Sequence, residues 1–115
     1  MSTEQLEQFE ELGRRAIACK RWRWMDGMLY KQDGVGVRPV IATAPIIQGG
    51  GLPDLTDPAT LGCLLALVRE AWGSPHAYVG HSDKWVAAFG CEVEGRVFAS
   101  TTEAAALVAA LEAAP

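Results

Sequence analysis

The chain lacks most of the features that announce a function. Its 115 residues hold three cysteines, two histidines and fewer basic than acidic side chains, 10 against 14. Cys19, Cys63 and Cys91 are odd in number and share no metal-binding spacing. They are expected to be reduced thiols in a cytoplasmic protein, with Cys63 buried as a small hydrophobe. The deficit of cations leaves a net charge of −4. A generic binder of nucleic acid or of anionic membrane leans the other way. No apolar run approaches the roughly eighteen residues of a membrane span. The start, M-S-T-E-Q-L-E-Q-F-E, is acidic and polar and does not read as a signal peptide. Low-complexity tracts and obvious linkers are missing too, so the length predicts one domain over residues 1–115.

What is present is apolar surface in regular patterns. Half of the chain is hydrophobic, enough for a core without disulfide or metal staples. The best-specified element lies within Leu52–Gly73, L-P-D-L-T-D-P-A-T-L-G-C-L-L-A-L-V-R-E-A-W-G. Asp57 is the N-cap candidate, Pro58 suits the first helical position, Gly73 suits the left-handed C′ position, and Pro75 blocks continuation. Leu61, Leu64, Leu65, Val68, Ala71 and Trp72 recur at helical spacing, and Cys63 and Leu67 widen the stripe. This helix is expected to be the centre of the core. Gly62 and Ala66 fall away from the stripe and read as a solvent face of small residues, with close docking of a second element as the sharper alternative.

In chain order, residues 2–19 predict an amphipathic helix. Ser2 and Gln5 have capping-box spacing, and Leu6, Phe9, Gly13, Ala16 and Ile17 share one face. Acidic residues come early and Arg14, Arg15 and Lys20 late, which suits the helix dipole. Gly13 in mid-helix suggests close packing. Residues 21–42 switch to strand periodicity. Trp22 and Trp24 alternate with Arg21 and Arg23, Asp26-Gly27 and Asp33-Gly34 signal hairpin turns, 28–31 and 35–42 read as strands, and Pro39 argues for an edge. Together these predict a three-stranded antiparallel meander. Residues 43–56 read as a long irregular connection. Three further strands are expected at 77–80, 84–89 and 96–99, with turns near Ser82-Asp83 and Glu94-Gly95. A last helix at 101–113 carries Ala104, Leu107, Val108 and Leu111, with Ser100 and Glu103 as its capping box. The predicted fold is α+β, antiparallel sheet with three helices in the order α-βββ-α-βββ-α.

The most suggestive chemistry is the run Arg14, Arg15, Lys20, Arg21, Trp22, Arg23 and Trp24, which holds five of the ten cations within eleven positions. Cations interleaved with indoles are how single-stranded nucleic acid is held. Dipole compensation and inward tryptophans on a strand explain the same pattern without a ligand, and the negative net charge favours that explanation. Gly49-Gly50-Gly51 could cradle a phosphate, but Asp54 and Asp57 stand between it and the helix and would repel an anion. His76, His81, Asp83 and Cys91 are the remaining candidates for a metal or a small hydrolase, and histidines five positions apart do not share one face of a helix or strand. No metal, cofactor or catalytic set is expected.

Three segments carry a resemblance: W-R-W-M-D-G-M-L at 22–29, the whole of 52–73, and T-E-A-A-A-L-V-A-A-L-E-A-A-P at 102–115. They resemble segments of small uncharacterised proteins encoded by tailed phages and prophages. The resemblance covers under half of the chain, with 52–73 its specific part, and brings no catalytic residues. It implies an accessory protein in the bacterial cytoplasm that binds a host or viral macromolecule stoichiometrically, as an inhibitor of a host process for instance. The expected partner is a protein, with nucleic acid as the alternative. Open sheet edges, the unprotected strand at 77–80 above all, together with the Gly62 and Ala66 patch and four tryptophans suggest a homodimer.

Overall fold

A computed structural model of the chain describes residues 2–32, 36–40, 51–81 and 89–115. The elements run α1 (Thr3–Ile17), β1 (Leu29–Gln32), β2 (Gly36–Pro39), β3 (Leu52–Pro53), α2 (Pro58–Trp72), β4 (Tyr78–His81), β5 (Phe89–Val93), β6 (Arg96–Ser100) and α3 (Glu103–Glu112). The fold is α+β in the expected order, with two three-stranded antiparallel sheets, β2-β1-β3 and β4-β5-β6.

The helix ends follow local chemistry. Ser2 and Gln5 form the capping box of α1, each side chain bonded to the other's backbone N–H. Asp57 caps α2 by accepting from the Thr60 N–H, Pro58 opens the first turn, and Gly73 closes the helix at φ 62°. For α3 the cap is Thr102, which accepts from the Ala105 N–H, not Ser100. Ser100 is the last residue of β6, so its backbone is held in the ladder with Phe89. Thr102, two residues past the ladder, takes the cap position directly before Glu103.

The first sheet departs from the expected meander. Residues 22–25 do not form a strand. Asp26-Gly27 makes a turn that leads into β1 without a partner strand before it. The third strand is supplied instead by Leu52 and Pro53, inside the stretch expected to be irregular, which pair with Lys31 and Tyr30. Pro39 does sit on an edge strand. The Asp33-Gly34 turn lies outside the described residues, although β1 and β2 pair antiparallel on either side of it. In the second sheet β4 and β6 fall close to their expected places. The middle strand is Phe89–Val93, later than the expected 84–89, whose other residues are not described, like the turn near Ser82-Asp83. Glu94 and Gly95 both have positive φ, 53° and 76°, so this two-residue hairpin takes the turn whose twist matches the strands.

The hub of the core is α3 rather than α2. Helix α3 packs against α1, α2 and all three strands of the second sheet. Ala104, Ala106, Leu107, Val108, Ala110 and Leu111 are all buried, so the helix has almost no solvent face. Its alanines permit this: a helix touched from several sides cannot carry large side chains all round without pushing its neighbours apart. On α2 the buried line is Thr60, Leu64, Leu67, Val68 and Ala71, while Leu61, Leu65 and Trp72 are half-buried. The stripe is thus rotated towards Leu67. Gly62 is exposed with nothing near it, as a solvent face requires. Gly13, by contrast, is buried, and a Cβ there would lie 3.4 Å from the Pro53 ring. Its missing side chain lets α1 close onto β3. One hydrophobic cluster takes in Leu12 and Ala16 of α1, Tyr30 of β1, Leu64 and Val68 of α2, Cys91 and Val93 of β5, and the α3 residues.

Candidate binding surfaces

The basic and aromatic run at 14–24 begins in the last turn of α1 and continues through the connection to β1. Among its cations, Arg14 pairs with Glu10 and Glu11 at 3.7 and 3.3 Å. Arg15 forks onto Glu112 of α3 at 3.0 and 2.5 Å, which raises the arginine pKa further. Arg23 meets Glu70 of α2 at 2.7 Å and holds that carboxyl below its usual range. Arg21 donates to the Pro115 carbonyl oxygen at 3.2 Å. Lys20 is exposed and, among the described residues, is in no ion pair. Three of the five cations therefore face carboxylates brought from other turns or elements, and the local field is much weaker than the sequence suggests.

The indoles point into the protein. Trp22 and Trp24 are half-buried against the core, edge to face with each other at 5.3 Å, and Trp24 continues onto Tyr30 at 6.2 Å. Their rings are spent on one another rather than offered as a flat stacking platform. Among the described residues, the buried Trp22 Nε1 has no hydrogen-bond partner. Inward tryptophans are one of the two readings that the alternation with arginine allows, and both rings are half-buried here without a strand.

The other candidates do not converge. His76 is exposed in the turn after α2. His81 ends β4 and packs edge to face on Phe89 at 5.2 Å. Asp83 lies outside the described residues. Cys91, not Cys63, is the fully buried cysteine, and burial pushes its thiol up to about 11. Cys63 is half-buried beside the Asp26 carbonyl oxygen. Among the described residues no three histidine, cysteine or carboxylate side chains come together as a metal set. Of the glycine triplet only Gly51 is described, and it is buried. Asp54 is turned into its own loop, accepting from the Thr56 N–H and hydroxyl at 3.1 and 2.6 Å. Asp57 is consumed by the α2 cap.

Two concavities stand out among the described residues. One, of about 600 Å³, lies between the end of α1 and the end of α3, beside Arg15, Cys19, Lys20, Arg21 and Glu112. The other is a cleft of about 540 Å³ between α1 and the first sheet. Phe9 and Ile17 from α1 and Val37, Leu52, Pro53 and Leu55 from the sheet side make its apolar surface. Glu10, Arg14, Lys31 and Asp54 set charges of both signs around it. This cleft was not legible in the sequence, because it exists only where Gly13 lets α1 meet β3, and β3 was hidden in an apparent loop. Comparison with known families, curated proteins and solved structures gives no match. Among the described residues no helix is long and apolar enough to cross a membrane.

Proposed function

We propose that the chain acts as a stoichiometric binding protein, engaging a protein partner through the cleft between α1 and the first sheet. The observation that carries this reading is the cleft's make-up: an apolar floor under a rim of mixed charge, with Val37 of the edge strand β2 46% exposed beside it. Anchoring apolar side chains in a desolvated centre with polar groups at the rim is how protein partners are held. The mixed charges of Glu10, Arg14 and Lys31 at the rim suit a peptide surface better than a uniformly anionic ligand. The resemblance of residues 52–73 to phage-type sequences makes a host or viral macromolecule in a bacterial cytoplasm the proposed target.

The nucleic-acid alternative rests on residues 14–24. Ion pairing of Arg14, Arg15 and Arg23, and half-burial of the tryptophans, leave it Lys20 and Arg21, with the other guanidiniums only after their carboxylate pairs are broken. The test is capture from a bacterial host lysate on the immobilised protein, with and without nuclease, beside the variant Val37→Asp. Protein retained through nuclease treatment and lost with Val37→Asp supports the proposal. Retention abolished by nuclease, and insensitive to Val37→Asp, supports the alternative.

A further inference from the structure

The hairpin of β5 and β6 fixes which backbone groups of β6 are free. Its two-residue turn at Glu94-Gly95 makes Val93 and Arg96 the closing hydrogen-bonded pair. Hydrogen-bonded pairs alternate along an antiparallel ladder. Cys91 with Phe98 and Phe89 with Ser100 are therefore the next bonded pairs in the observed register. Arg96, Phe98 and Ser100 turn their N–H and C=O groups to β5. Val97 and Ala99 turn theirs outward, on a strand that, among the described residues, ends the sheet. Both residues are exposed, and β6 contains no proline to guard that edge. Open edges of this kind are templates for another strand.

We propose that this edge joins two copies of the chain, β6 pairing antiparallel with β6 of the second copy about a two-fold axis at Phe98. The strand is complementary to itself in that register. Val97 of each copy falls opposite Ala99 of the other, so the two outward-facing residues form hydrogen-bonded pairs on both sides of the axis. The two phenylalanines meet at the centre in a non-bonded position, where side chains approach most closely. Like charges are kept apart as well. Arg96, the one ionised side chain of β6, falls opposite Ser100 of the second copy and never opposite another arginine. The next ionised residue along that chain is Glu103, in the first turn of α3. Arg96 lies on the side of the sheet from which α3 starts, its guanidinium 5.0 Å from the Phe98 ring centre and 5.5 Å from that of Trp72. A two-fold contact of this type closes at two subunits and does not propagate. It is distinct from the proposed cleft, to which β6 contributes no residue.

The experiment is sedimentation or light scattering from micromolar to millimolar concentration, on the wild type and on Ala99→Pro, Val97→Lys and Val79→Pro. Proline at 99 removes an outward N–H and none that bonds β5, a substitution edge strands tolerate. The wild type is expected to reach twice the 12.3 kDa chain mass. Ala99→Pro, with an unchanged circular dichroism spectrum, is expected to weaken association at least tenfold. Should Ala99→Pro disturb the fold, Val97→Lys, which only adds a charge at the exposed edge, gives the same reading. Val79→Pro, on the opposite edge strand β4, is expected to leave association intact. A wild type that stays at 12.3 kDa throughout overturns the proposal. So does a dimer indifferent to Val97→Lys, or one broken by Val79→Pro alone.

Discussion

Leu64 and Leu65 are neighbours on α2 with different fates. Leu64 is fully enclosed, whereas Leu65 is half-buried. Leu64→Ala is expected to cost about 2–5 kcal/mol in urea unfolding, because the cavity closes only in part. Leu65→Ala is expected to cost clearly less, and equal losses at the two sites would show that the buried line is drawn wrongly. Helical spacing placed both on one stripe, and only packing against α3 separated them. Cys91 carries a pH dependence. Burial raises its thiol to about 11 from an ordinary value of 9.0. Its folded-state pKa is thus above the unfolded one, so its contribution is fully present below pH 9 and is lost as pH rises towards 11. Stability is expected to fall across that window by about 2–3 kcal/mol from this group. Urea titrations of the wild type and Cys91→Ala at both ends of the window check it, the variant showing the flatter profile. Cysteine count alone could not say which thiol would be the buried one. Cys91 is, because it faces inward on a central strand.

At the scale of elements, the helix starts were largely written in the chain. Ser2 with Gln5 and Asp57 with Pro58 act as their residue types predict. The α3 cap was read two residues early because Ser100 also has the right spacing to an acidic residue. The ladder to Phe89 claims its backbone first. Thr102→Ala is therefore expected to destabilise by about 0.5–2 kcal/mol and Ser100→Ala by much less. Thermal denaturation of both variants decides between the two caps. Thr60 joins two elements that sequence spacing cannot connect. Its hydroxyl donates to Asp57 and accepts from the Leu29 N–H, each at 2.8 Å, tying the start of α2 to the start of β1. Thr60→Val keeps the volume but leaves that N–H buried and unpaired, at a cost of about 1–3 kcal/mol. Chemical denaturation of Thr60→Val, Asp57→Ala and the double variant is expected to give a double loss well below the sum, since the pair acts as one network.

Across the whole molecule, α3 bridges α1, α2 and the second sheet, so none of these can leave the core without exposing it. Leu107→Ala, at a fully buried position, is expected to lower stability by about 2–5 kcal/mol. It should do so in a single transition, with the fluorescence of the tryptophans and far-ultraviolet circular dichroism moving together. Separate transitions would mean that the two sheets unfold apart. The α+β class, the element order, the three helices, the Glu94-Gly95 turn and the edge position of Pro39 all follow from the sequence. Each depends on contacts within a few residues: caps, turn φ values and the period of the apolar residues. The third strand of the first sheet, the central place of α3, the ion pairs of Arg15 and Arg23 and the cleft against Gly13 were decided by tertiary structure. Each depends on residues far apart in the chain. Leu52 and Pro53 become a strand only because β1 offers them backbone groups, and Arg15 loses its free charge only because α3 brings Glu112 to it. An alanine-rich helix reads from its own sequence as filler. It becomes the hub because small side chains are what allow several elements to reach it at once.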